Sequence, residues 1–366
     1  MSDQKSHKKS ALRVNPGVEQ PEAINPLLHQ KAGKFKKNPL DVKEYFAGIQ
    51  SGDRTMLSRA ITLIESTLPQ DKAPAGELVR QCLPLSGKTL RLGVTGVPGV
   101  GKSTFIENFG LQLIEKGHKV AVLTIDPSSL RSRGSILGDK TRMEKLGTHE
   151  KAFIRPSASA GTLGGVARKT REAMILCEAA GYDIIFVETV GVGQSETAVA
   201  QMVDFFLLLM LAGGGDELQG IKRGIMEMAD LIVINKADGE NKKRADLARR
   251  EFENALHLYP PLPGGWQPSV LTASALYGDN MQQIWNQIES FVQLTKQNGF
   301  FEENRKNQDY RLFEENIHQA IHDHFYGQPE IMKQLETYKN QILNRQISPY
   351  EASQKLLDFY FGSFLK

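Results

Sequence analysis

Cysteine is nearly absent: Cys82 and Cys177 are the only two in 366 residues. They lie in stretches that read as helical or apolar and have no paired metal-ligand spacing, which excludes a cysteine metal cluster and fits a reduced, cytoplasmic compartment. An excess of either charge is also missing. Lys plus Arg number 45 against 42 for Asp plus Glu, a net charge of +3 that gives no long-range pull toward nucleic acid or a membrane surface. No apolar run approaches bilayer-spanning length, and the most hydrophobic one, Phe205 to Ala212, is short enough for a buried strand. The first residues, MSDQKSHKKSALR, carry lysines without an apolar segment behind them, so no secretory signal is expected. Asp3, Glu19 and Glu22 disfavour an organellar presequence. What is present is ordinary for a globular protein, 40% hydrophobic and 24% charged. The length accommodates one large core with smaller additions.

Residues 1–41 are polar and carry Pro16, Pro21, Pro26 and Pro39, the composition of a flexible arm. Residues 42–89 have apolar positions at helical spacing, among them Ile61, Leu63, Ile64 and Leu68. From Leu90 to Gly278 short apolar runs alternate with helical segments. The expected strands are LRLGVTG, KVAVLTID, AFIR, YDIIFVET, DFFLLLML, DLIVINK and SVLTASA. Helices are expected over Val166–Ala180, near Ile221–Met228, and over Lys243–Leu256. This alternation predicts βαβ units in a mostly parallel twisted sheet. Residues 279–366 read as helices over Met281–Leu294, Tyr310–His324, Pro329–Leu343 and Tyr350–Leu365.

The run Gly96-Val97-Pro98-Gly99-Val100-Gly101-Lys102-Ser103 matches G-x-x-x-x-G-K-[ST] between an expected strand and an expected helix. That context makes the core a P-loop NTPase of the α/β class with N- and C-terminal helical extensions. In such a loop backbone N–H groups curl around phosphates at the positive end of a helix, Lys102 reaches the β- and γ-phosphates, and the Ser103 hydroxyl ligates Mg2+. Thr104 follows in the same binding set.

Asn235-Lys236-Ala237-Asp238 closes the strand DLIVINK with the guanine-specifying pattern N-K-x-D. A carboxylate at Asp238 accepts from the ring N–H and the exocyclic amine of guanine, whereas adenine lacks that donor pair and leaves the acceptor unsatisfied. Asn235 braces the loop, and the Lys236 stem covers the ring face. One strand later Ser274-Ala275-Leu276 stands where backbone N–H groups meet the guanine oxygen. The expected ligands are therefore GTP and GDP.

Between these motifs YDIIFVE ends in Glu188-Thr-Val-Gly191, where switch GTPases commonly have Asp-x-x-Gly. Glu188 is expected to orient a metal-bound water, and the Gly191 N–H to sense the γ-phosphate. Asp126, at the end of KVAVLTID, is a second acid at the correct strand end, with an N-cap as its alternative role. No glutamine directly follows Gly191, so slow intrinsic hydrolysis is expected; Gln194 is a candidate by proximity. The glycine-rich, charged segment 213–223, which contains Lys222, reads as a further switch or as an ordinary strand–helix loop.

Together with GVPGVGKSTF, LTIDPSS, RGSILGDKTRM, RPSASAGTLGG, ETVGVGQSE, LAGGGDELQGIKRGIME and NKADG, the chain resembles the MeaB/ArgK GTPases from about Val42 to Leu343. Glu at position 188 is no anomaly in that family. The resemblance implies a homodimer built through the C-terminal helices. It also implies a partner, a coenzyme-B12-dependent acyl-CoA mutase such as methylmalonyl-CoA mutase, whose adenosylcobalamin loading is gated by GTP hydrolysis. It further implies that Asp126, Asp139, Glu188 and the 213–223 segment serve as magnesium and switch elements.

Three other functions compete. A nickel-insertion GTPase would want a Cys/His cluster near the nucleotide, but the concentrated histidines His318, His322 and His324 lie far along the chain. A transport-associated kinase would want an acceptor site, for which no residues stand out. A binding module with an inactive P-loop would have lost Lys102 or Ser103, and both are present.

Overall fold

Near-continuous apolar runs become seven parallel strands because helices cover both faces of the sheet they form. The computed structural model describes residues 40–125, 143–156, 163–189, 195–213 and 223–364. The chain divides after Asp41, and every element named here belongs to the unit Val42–Lys366.

Among the described residues three α-helices precede the sheet: α1 (Val42–Gln50), α2 (Arg54–Glu65) and α3 (Pro69–Cys82). The Asp53 carboxylate caps α2 by accepting from Thr55 N at 2.7 Å and Met56 N at 3.1 Å, satisfying donors that a helix start leaves open. Pro69 opens α3, where its missing N–H costs nothing.

The core then runs β1 (Leu90–Gly96), α4 (Lys102–Glu115), β2 (Val120–Ile125), α5 (Glu144–Thr148), β3 (Ala152–Pro156), α6 (Leu163–Ala179), β4 (Ile184–Thr189) and α7 (Ser195–Ala200). It continues with β5 (Phe205–Leu211), α8 (Arg223–Met226), β6 (Leu231–Asn235), α9 (Lys242–Leu256) and β7 (Ser269–Thr272). The strand order is β3-β2-β4-β1-β5-β6-β7, and every neighbouring pair is parallel. All seven expected strands are present. Phe186 and Phe205 are both in register with Leu92 and therefore share one face of the sheet, where aromatic side chains interlock: the ring centroids of Phe109 and Phe186 lie 5.8 Å apart and those of Phe205 and Phe291 5.1 Å apart.

The C-terminal helices are α10 (Met281–Gln297), α11 (Phe300–Tyr326), α12 (Pro329–Leu343) and α13 (Pro349–Phe364). α10 belongs to the core, burying Ile284, Ile288 and Phe291 at helical spacing. α11 begins ten residues before the expected Tyr310. Its first part, FFEENRKNQD, is polar, and among its residues only Phe301 and Gln308 are buried.

Arg305 on α11 ties that helix to the end of the sheet where the strands begin. It donates to both carboxylate oxygens of Asp204, at 2.7 and 2.6 Å, to Gly87 O at 2.6 Å, and to Thr89 O. Arg91 and Glu178 form a second buried pair there at 2.7 Å. These charges hold the opposite edge of the sheet from the loops that carry the motifs. Among the described residues no helix is long and apolar enough to cross a membrane.

Candidate nucleotide site

The central strand β1 lies between β4 and β5, so the loop 97–101 leaves the middle of the sheet at its carboxyl end, where open α/β sheets bind ligands. At two points its path leaves no room for a side chain. Gly96 has φ 150°, and a Cβ there would stand 2.3 Å from Leu209 O. Gly101 has φ 97°, and a Cβ there would stand 2.9 Å from Asn235 Nδ2. Val100 is buried and anchors the loop, whereas Pro98 and Gly99 are exposed at its crest.

Lys102 and Ser103 open α4. The Lys102 ammonium arches back over the loop, donating to Gly96 O at 2.8 Å and Val97 O at 3.3 Å. The Ser103 hydroxyl points across the sheet and donates to Glu188 Oε1 at 3.0 Å. Thr104 offers its carbonyl to Asn108 Nδ2 at 3.2 Å. Glu188 is 3% exposed and stands in register with Val94 of β1. Directly beneath, the hydroxyls of Thr95 and Thr189 share a buried hydrogen bond of 2.9 Å, fixing the ends of β1 and β4 to each other.

The residues of the N-K-x-D motif assemble on the other side of the loop. Asn235, 1% exposed, connects two loops through one amide: its Nδ2 donates to Val100 O at 2.8 Å and its Oδ1 accepts from Ala275 N at 3.0 Å. Lys236 follows in a left-handed conformation, φ 59°, with its carbonyl held by Asn241 Nδ2 at 2.7 Å. Ala237 N donates to Ala273 O at 2.9 Å. The Ser274 hydroxyl donates to Asp238 Oδ2 at 2.6 Å and thereby fixes the plane of that carboxylate. Leu276 projects outward, 66% exposed.

The structure thus brings together Gly96 to Thr104, Glu188, Asn235 to Asp238, and Ser274 to Leu276. Asp126, Asp139, Gly191, Gln194 and Lys222 lie outside the described residues. Sequence reasoning missed Thr95, Thr189 and Asn108. The Asn108 amide donates to Ala275 O at 2.8 Å across 167 positions, a separation at which no local spacing signals contact.

The histidines of α11 make other contacts: His324 Nδ1 hydrogen-bonds to Tyr360 Oη at 2.7 Å, and His322 lies beside Asp323 at 3.5 Å. Among the described residues no three His, Cys, Asp or Glu side chains gather as metal ligands. Cys82 and Cys177 are buried thiols. Burial pushes the pKa of Cys82 up to about 11 and raises that of Cys177 as well, so both stay protonated and unreactive near neutral pH.

The profile of the family described as "Methylmalonyl Co-A mutase-associated GTPase MeaB" matches residues 57–330. The chain is 46% identical over 322 residues to GTPase ArgK of Escherichia coli, covering 88% of this chain and 97% of that one. It is 44% identical over 335 residues to the mitochondrial methylmalonic aciduria type A homolog of Mus musculus, covering 89% and 81%. A crystal structure of LAO/AO transport system kinase superimposes with a TM-score of 0.71 at 39% identity, covering 88% of this chain and 98% of that one.

Proposed function

The chain belongs to the methylmalonyl-CoA mutase-associated GTPase family MeaB, and from that premise we propose that it is a switch that chaperones a coenzyme-B12-dependent acyl-CoA mutase, methylmalonyl-CoA mutase foremost. As a member of that family it binds guanine nucleotide and hydrolyses GTP. In the proposed cycle hydrolysis gates adenosylcobalamin loading and protects or reactivates the mutase. The observation that carries the switch reading is the hydrogen bond from Ser103 Oγ to Glu188 Oε1, 3.0 Å long, because it couples the phosphate loop to the strand that leads into Gly191.

The roles follow from the chemistry of the groups. Lys102 exchanges its two carbonyl partners for the β- and γ-phosphate oxygens, a charge-assisted and therefore stronger interaction. Backbone N–H groups from Val97 to Thr104 cradle the phosphates at the positive end of α4. The Ser103 hydroxyl and the Glu188 carboxylate are adjacent hard oxygen donors, the kind magnesium takes; they would hold Mg2+, with Asp126 and Asp139 added from the proposed set. The ion supplies neutralisation of the phosphate charge. Glu188, Gly191, Gln194 and Lys222 are the proposed hydrolytic and switch residues, with Gln194 orienting the attacking water.

Asp238 accepts from the guanine N1–H and 2-amino group while Ser274 holds its other face. Lys236 covers the ring, and the 274–276 loop donates to the 6-oxo group. A homodimer through the C-terminal helices is part of the proposal. An exposed stripe on α11, formed by Tyr310, Phe313, Ile317 and Ile321, and an apolar cleft of about 700 Å³ bordered by α11, α12 and α13 supply apolar surface of the kind that oligomers cover. The proposed compartment is the cytoplasm, with neither nucleic acid nor membrane as a partner.

The test is the GTP hydrolysis rate of the purified protein, alone and with a B12-dependent acyl-CoA mutase from the same source. A slow basal rate that rises with the mutase supports the chaperone. A rate indifferent to the mutase removes that partner and leaves the GTPase.

A further inference from the structure

Two polar side chains of α4 and that of its C-cap residue Lys116, spaced four residues apart, meet the segment that follows β7. Asn108 Nδ2 donates to Ala275 O at 2.8 Å. Gln112 lies against Gly278, where an added Cβ would come within 3.0 Å of its Nε2. Lys116 Nζ donates to Gln282 Oε1 at 2.6 Å. Residues four apart share one helix face, so this face is a polar seam between the helix that begins with Lys102 and the segment from Ala275 to the first turn of α10.

Within the seam Ala275 is held on both sides. Its N–H donates to Asn235 Oδ1 at 3.0 Å, and its carbonyl accepts from Asn108. A trans peptide is planar and its C=O and N–H point in opposite directions. Fixing Ala275 O on α4 therefore aims the N–H of Leu276, in the same peptide unit, away from α4. Among the described residues the Leu276 N–H meets no acceptor, whereas Ser274 N, Ala275 N, Tyr277 N and Gly278 N each do. The loop thus presents one uncommitted donor beside the Asp238 carboxylate, which Ser274 of the same loop holds at 2.6 Å.

We propose that Asn108 is a positioning residue for base selection: by holding the Ala275 carbonyl it aims the Leu276 N–H at the 6-oxo group of guanine. Asp238 takes the N1–H and the 2-amino group independently. The inference rests on the proposed reading of the base by Asp238 and the 274–276 loop, and adds to it the residue that makes 6-oxo recognition rigid. It also explains why the amide stands on the phosphate-binding helix: base and phosphates are gripped by one body, so neither contact pays separately for ordering the other.

The experiment compares equilibrium binding of GTP, ITP and 6-thio-GTP to the full chain and to Asn108→Leu and Asn108→Asp. 6-Thio-GTP keeps the N1–H and 2-amino group but replaces the 6-oxo group by a weak acceptor, and ITP keeps the 6-oxo group but lacks the 2-amino group. In both variants affinity for GTP and for ITP should fall about tenfold, the scale of one hydrogen bond lost. 6-Thio-GTP should weaken far less, and the GTP-to-ITP ratio should stay constant. Equal loss for GTP and 6-thio-GTP would mean that Asn108 only supports the fold, and unchanged GTP binding would likewise overturn the inference. If the unaltered protein does not distinguish GTP from 6-thio-GTP, 6-oxo recognition itself fails. Base reading by Asp238 is tested separately through xanthosine triphosphate, so the two failures are distinguishable.

Discussion

Ser103 and Glu188 are 85 positions apart in the chain and 3.0 Å apart in the fold, hydroxyl to carboxylate. Glu188→Gln keeps an acceptor for that hydroxyl and removes only the charge. The variant should fold and bind GTP, its hydrolysis should fall about a hundredfold, and the magnesium concentration for half-maximal rate should rise. Single-turnover hydrolysis across a magnesium titration measures both effects.

Asp238→Asn reverses one donor–acceptor pair facing the base. GTP affinity should fall at least about tenfold and xanthosine triphosphate should become the preferred ligand. Competition binding checks this, and a variant that still prefers GTP undiminished would remove Asp238 as the base reader.

Gly101 and Gly99 both have positive φ, 97° and 76°, but only a Cβ at Gly101 meets a neighbour, Asn235 Nδ2 at 2.9 Å. Alanine at either position should cost about 1–3 kcal/mol in backbone strain. Gly101→Ala should in addition displace the Asn235 amide from Val100 O and Ala275 N and weaken GTP binding beyond the loss in Gly99→Ala. Thermal melts and nucleotide titrations of the pair separate strain from displacement.

Arg305→Met leaves the Asp204 carboxylate, 2% exposed, without its guanidinium partner. Breaking a buried pair by removing one member costs about 3–5 kcal/mol. Denaturant unfolding should show that loss, while GTP affinity of the folded variant should stay close to that of the parent, because the pair is at the far end of the strands.

Burial pushes the Asp230 carboxyl up to about 7 from 3.8, although a hydrogen bond from Phe206 N acts in the opposite direction. A folded-state pKa above the unfolded value means that the folded protein holds this proton more tightly, so stability falls as pH rises from about 4 to about 7. Asp230→Asn should remove that component. Melting temperatures of parent and variant should differ only by the cost of the substitution near pH 4, and from there to about pH 8 the parent should lose more than the variant. Parallel losses in the two proteins would refute the assignment.

All seven strands were legible in the sequence because a strand covered on both faces is a short, unbroken apolar run that local composition reveals. The first ten residues of α11 were not. Their polar run gave no periodicity, and that part of the helix takes its place from the burial of Phe301 and from hydrogen bonds of Arg305 to Asp204 and of Gln308 Nε2 to Val203 O. The same division holds in the site. Gly96 to Ser103 and Asn235 to Asp238 are contiguous motifs whose chemistry needs fixed spacing along the chain. Asn108, Thr95 and Thr189 act through contacts between elements remote in sequence.

The sequence by itself determined the order of strands and helices, the phosphate loop, the base motif and the resemblance to one family, since each is written in neighbouring residues. Tertiary structure alone decided that one asparagine amide joins the phosphate loop to the base loop, that a second fixes the other side of Ala275, and that Ser103 meets Glu188. Side-chain hydrogen bonds reach only about 3 Å, so such meetings exist only after the sheet has brought the carboxyl ends of its strands together.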